Sequence, residues 1–179
     1  MHRLFFAIYP DSAALQEIER VAANLRAAGT IRGRWTAPDK YHITARFLGD
    51  YPDACEDMVA RAAAAAIQVR AAAFEITLDR IATLRGRFQV PCVLRCAARC
   101  EPAIQALWQD LGAALSTSPV QEQTQRRFLP HLTLAYGDRM FDAPLGIAPI
   151  VSRIGEFVLV DSHRSAHVVA PHPVQAVSK

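Results

Sequence analysis

The sequence predicts an α+β fold with mostly antiparallel strands arranged in two pseudo-equivalent lobes. Three observations carry this reading. A strand–helix–strand unit fills the chain before residue 70, a comparable unit lies around residues 93–136, and a short His-x-Thr strand pattern occurs in each. At 179 residues the chain reads as a single two-lobed domain, long enough to bury a substantial core.

Each element has its own local signal. Arg3 to Tyr9 opens as an apolar strand, and Pro10-Asp11-Ser12 offers a helix start. Leu15, Ile18, Val21, Ala22 and Leu25 then recur at helical spacing until Gly29 stops them. Trp35-Thr36 and Tyr41 to Leu48 read as strands around the turn-like Pro38-Asp39-Lys40. Asp53 can cap a second helix running through Met58, Val59 and the alanines to about Arg70. Phe74 to Leu84 alternates as a long strand, Arg85-Gly86-Arg87 turns, and Val93 to Cys96 pairs back. A third helix begins near Glu101-Pro102, where proline fits the first turn, and presents Ile104, Leu107, Trp108, Leu111 and Leu115. Ser116 to Gln125 reads as a polar loop, Asp142 to Pro149 as a connection, and Ile154 to Asp161 as a final strand. From about residue 162 the tail is polar and Pro-containing and yields no assigned element.

Bulk properties narrow the function classes. Composition is ordinary for a soluble globule, 51% hydrophobic and 21% charged. A net charge of +3 and a pI near 8.8 permit an anionic ligand without demonstrating one. No charge block or low-complexity tail suggests long nucleic-acid tracts. The apolar run Leu4 to Tyr9 is shorter than a secretory core, and no stretch approaches the ~18 apolar residues of a membrane span. The expectation is a cytoplasmic protein with no membrane partner and no evident obligate protein partner. Cys92, Cys96 and Cys100 lack the paired spacing of a zinc site and read as small reduced thiols. His163, His167 and His172 have no carboxylate cluster with them, and Pro171 and Pro173 argue against a helix there. No metal site is expected.

The chemistry lies in the repeated pattern. His42-Ile43-Thr44-Ala45 runs on to Phe47-Leu48-Gly49, and His131-Leu132-Thr133-Leu134 runs on to Tyr136-Gly137. Side chains two apart on a strand share a face, so each copy buries an apolar face and presents an imidazole beside a hydroxyl. Two imidazoles supply a general acid and a general base, and two hydroxyls supply donors for an oxyanion. Histidine alternating with apolar residues is often only the polar face of a half-buried strand. Two copies with the same partner face and a closing glycine favour the functional reading.

These motifs resemble those of the two-histidine phosphoesterases, and within that superfamily the RNA 2',3'-cyclic phosphodiesterases, historically called 2'-5' RNA ligases. Arg3 to Ile8, Trp35 to Lys40, Arg126, Phe128 and Pro130, and the strand around Phe157 to Asp161 add to the resemblance. It implies a bilobal fold whose two mostly antiparallel sheets, with outer helices, flank a central cleft. It also implies hydrolysis of RNA 2',3'-cyclic phosphate ends to 2'-phosphomonoesters, without cofactor or metal. His42 would be proton donor and His131 proton acceptor, a direction that the two chemically alike motifs do not fix by themselves. Thr44 and Thr133 would bind the non-bridging oxygens. The ligands are then RNA ends or small cyclic nucleotides. A phosphodiesterase or ligase acting on 2'-5' linked or other small cyclic nucleotides is one alternative, and a non-catalytic nucleotide or RNA-end binding module another.

Further contacts are expected from four residues. Arg126 matches an arginine that the family keeps five positions before the second histidine, suited to phosphate or ribose. Arg46 follows Thr44 by two positions on the same face, and offers either a cation to the phosphate or a strand end that reaches solvent. Trp35 and Phe128 are aromatic candidates for stacking a terminal base. Phe6 and Phe47 read as core.

Overall fold

A computed structural model describes residues 1–53, 56–116 and 128–162, and the backbone of 167–173. Among these residues nine strands form one antiparallel sheet: β1 (His2–Ile8), β2 (Gly33–Trp35), β3 (Ile43–Tyr51), β4 (Phe74–Thr83), β5 (Val90–Cys96), β6 (His131–Gly137), β7 (Leu145–Ile154), β8 (Glu156–Asp161) and β9 (His167–Pro173). Helices α1 (Ser12–Ala27), α2 (Glu56–Ala66) and α3 (Glu101–Ser116) complete it.

The strand order β7-β4-β5-β6-β3-β1-β8-β9 divides at its middle into two four-stranded halves. β3 and β6 meet at the pair Ile43–Leu132, and β2 continues along the same edge of β6 from Gly33 to Trp35. The two expected sheets are therefore one hydrogen-bonded sheet with a narrow seam, and the two His-x-Thr strands form that seam. The helices reinforce it by crossing over. α1, which follows β1, packs against β7 of the other half, and α3, which follows β5, packs against β3.

Packing follows alternation. Leu4, Phe6 and Ile8 of β1, Ile43 and Leu48 of β3, and Leu132 and Leu134 of β6 enter the main core under the helices. Ile18 of α1 and Ile104, Leu107 and Leu111 of α3 meet them. The Asp11 carboxylate fixes where α1 starts. One oxygen accepts from the Ala14 amide at 2.9 Å and the other from the Arg153 amide on β7 at 2.9 Å. These bonds, the one from Ala14 foremost, hold its pKa below the ordinary carboxylate value.

Individual elements also differ from the sequence reading. Asp142 to Pro149 does not form a plain connection, because β7 begins at Leu145. β7 is an edge strand whose first half, Leu145 to Pro149, is mostly exposed and so tolerates Gly146 and Pro149, while Ile150, Ser152 and Ile154 alternate inward. The tail contributes β9, antiparallel to β8, where Pro171 and Pro173 again sit on an edge. α2 ends at Ala66 rather than about Arg70, closed by a turn in which the Val69 amide reaches the Ala66 carbonyl. Among the described residues, no helix is long and apolar enough to cross a membrane.

Candidate active site

The site grows out of the seam. Ile43 and Leu132 are 1% and 0% exposed, their side chains buried in the main core. His42 and Thr44 flank Ile43, and His131 and Thr133 flank Leu132, so alternation turns all four to the opposite face. Each of the four is half-buried. On that face His42 stacks on Phe5, with centroids 4.9 Å apart and planes at 22°, and the Tyr9 ring lies 5.9 Å away. Phe5 belongs there to a small cluster with Ala7, Val158 and Val160.

The two imidazoles are held alike. His42 Nδ1 donates to the Lys40 carbonyl at 2.8 Å, and His131 Nδ1 donates to the Leu129 carbonyl at 2.6 Å. A carbonyl only accepts, so each contact places the proton on Nδ1 and leaves Nε2 of the neutral ring as a lone-pair acceptor. Burial, the largest cause, lowers the pKa of both rings below 6.5. The carbonyl bond opposes this in each case. The positive charge of His131 lowers His42 further, and that of Arg95 lowers His131.

A bulge follows each motif at the same place. Thr44 pairs with Ala7 and Arg46 with Phe6, leaving Ala45 as the extra residue. Thr133 pairs with Val93 and Ala135 with Cys92, leaving Leu134 extra. The extra residue shifts the alternation by one, so Arg46 and Ala135 face the helices while Phe47 and Tyr136 return to the face of the motif histidines.

This corrects the expected role of Arg46. Its guanidinium lies 4.5 Å from the Trp108 ring centre and donates to the Trp108 carbonyl at 3.2 Å, under α3. Gly112 makes room for it, since a Cβ there would stand 2.8 Å from the guanidinium. Phe128 is likewise corrected. It stacks on Trp108 at 5.7 Å and packs on the main core. Trp35 pairs with Ala135 on the helix side, against the core and beneath Arg26 of α1. Arg126 lies outside the described residues. Phe6 is core as expected, whereas Phe47 packs with the Phe5 cluster on the opposite face.

Sequence reasoning passed over three arginines on this side of the sheet. Arg95 pairs with His131 in register and shares its face. Arg34 lies over the Tyr136 ring at 4.8 Å, and Arg3 over Phe47 at 5.7 Å. The Arg3 pKa is raised chiefly by its hydrogen bond to Asp50, with a smaller contribution from Tyr136. The alternation of Val93 and Arg95 about Leu94 was a usable signal for Arg95. Cys92 and Cys96 lie buried on the other side, their thiols pushed up to about 12 by burial.

Solved structures sharing the fold include apo LigT of E. coli, with a TM-score of 0.71 and 22% identity, over 97% of this chain and 95% of that one. TT0787 of Thermus thermophilus gives 0.75 at 19% identity, over 98% and 100%. The fold is thus that of the LigT-like phosphoesterases. An RNA 2',3'-cyclic phosphodiesterase of Geobacillus stearothermophilus is 31% identical over 137 residues, 73% of this chain and 40% of that protein. The chain matches about two-fifths of that relative's length. The profile of the 2'-5' RNA ligase superfamily matches residues 8–165, and the chain belongs to that superfamily.

Proposed function

We propose that the protein hydrolyses RNA 2',3'-cyclic phosphate ends to 2'-phosphomonoesters, with His42 and His131 as an acid–base pair needing no metal. The observation that carries the reading is the matched tether of the two rings: Nδ1 on a backbone carbonyl and Nε2 left for proton transfer, on strands that meet at one seam. Water attacks phosphorus as His131 takes its proton at Nε2. The bond from phosphorus to the ribose 3' oxygen breaks, and His42 protonates that oxygen. In-line displacement puts attacking and leaving groups on opposite sides of phosphorus, which suits one imidazole on each wall. Thr44 and Thr133 donate to the non-bridging oxygens, and Arg95 adds positive charge beside His131.

The curated relative's name supports the substrate class, as do the solved complexes of E. coli LigT with 3'-AMP and ATP. The test is incubation in EDTA with a nucleoside 2',3'-cyclic phosphate and with an oligoribonucleotide ending in a cyclic phosphate. A 2'-phosphomonoester product is expected. A 3'-phosphomonoester, or no turnover until a divalent ion is added, contradicts the proposal.

A further inference from the structure

Three segments converge at the end of β6. Val90 and Gly33 both pair with Gly137, one on each side, so the β4–β5 turn and the start of β2 flank one point. The loop after β6 is tied to the same place by the Phe141 amide, which donates to Thr83 Oγ1 at 2.8 Å. Arg32, Arg34, Arg85, Arg87 and Arg139 are exposed on these segments, against Asp138 and Asp142. Five arginines against two aspartates leave a surplus equal to the whole chain's net charge of +3, so the rest of the sequence is balanced.

An aromatic stands at the tip. Phe88 is 87% exposed, with the Arg87 guanidinium 5.1 Å from its ring centre. A Cβ on Gly86 would lie 1.9 Å from the Gln89 carbonyl oxygen, so glycine permits the closed turn that presents Phe88. The patch reaches the face of the motif histidines through Arg34 on Tyr136, about 17 Å along β6 from His131 at ~3.3 Å per residue. That is further than one terminal nucleotide needs.

We infer that this arginine rim binds the single-stranded RNA body that leads to the cyclic phosphate, with Phe88 stacking a base. This rests on the function proposed above and extends it from a nucleotide end to a strand. Guanidinium groups neutralise successive phosphates, and base stacking on an aromatic is tolerant of sequence. Exposed arginines interleaved with an exposed ring suit that polymer.

The experiment compares wild type, Phe88→Ala and the double variant Arg85→Ala/Arg87→Ala on two substrates, a nucleoside 2',3'-cyclic phosphate and a short oligoribonucleotide with the same end. For the oligonucleotide, Phe88→Ala should raise KM by about 5-fold or more. The double variant should flatten the salt dependence of kcat/KM by about 0.7 in log–log slope for each phosphate that it no longer neutralises. Kinetics on the mononucleotide should not change. An unchanged oligonucleotide KM, or an equal loss on both substrates, overturns the inference and leaves the proposed activity standing. Should wild type turn over neither substrate, the proposed activity falls. Fluorescence anisotropy with a 2'-phosphate-ended oligonucleotide then still tests the rim, and equal Kd for wild type and variants overturns it.

Discussion

Ile43 pairs with Leu132 where the two halves of the sheet meet, and both side chains point into the core. From that pair the arrangement of the site follows. The residues before and after each apolar partner turn outward together, which brings two imidazoles and two hydroxyls to one face. Enlarging or charging either apolar residue would disturb all four at once.

The pH profile is the first consequence. One ring must be neutral and the other protonated, so kcat/KM should be bell-shaped. Burial favours the neutral imidazole and lowers both pKa values, so the optimum should fall below 6.5, the ordinary imidazole value. Rates measured between pH 4 and 9 check this, and an optimum well above that value would contradict the burial argument.

Phe5 should act on His42 as a positioning residue. It stacks on the ring and helps to shield it from water. Phe5→Ala should lower kcat more than it changes KM, and should move the limb of the profile assigned to His42 toward the ordinary imidazole value. A change in KM alone would mean that Phe5 serves only the substrate.

Arg46 should matter for stability and not for substrate. Arg46→Ala removes a buried guanidinium–indole contact, worth about 0.5–2 kcal/mol, and should lower Tm with KM unchanged. Gly112→Ala crowds the same guanidinium, which must swing off the Trp108 ring, and should likewise leave KM unchanged. Thermal denaturation with parallel kinetics separates these outcomes from a phosphate-binding role.

Cys92 and Cys96 should resist alkylation in the native protein. Both are buried, with thiols pushed up to about 12, and the thiolate is the reactive form. Mass spectrometry after iodoacetamide treatment at pH 8 should find them unmodified until the protein is unfolded.

The sequence made the helices, the buried strands and the two motif strands legible, because their apolar periodicity is strong. It also placed His42, Thr44, His131 and Thr133 correctly on the face opposite Ile43 and Leu132. It misplaced Arg46, because a strict period of two cannot anticipate a bulge at Ala45, and it left Trp35 and Phe128 open where alternation and packing place them toward the helices. β7 and β9 escaped notice for a related reason. Edge strands admit the Gly146, Pro149, Pro171 and Pro173 that read as breakers, and β7 alternates inward only from Ile150.

The most direct test of the acid–base pair is the turnover of a nucleoside 2',3'-cyclic phosphate by His42→Ala, His131→Ala and the double variant, in EDTA. Each single change should lower kcat by ~10²–10⁴-fold. Because the two rings act as one unit, the double variant should fall little below the weaker single. Near-wild-type turnover in either single variant, or losses that multiply in the double, would contradict the account.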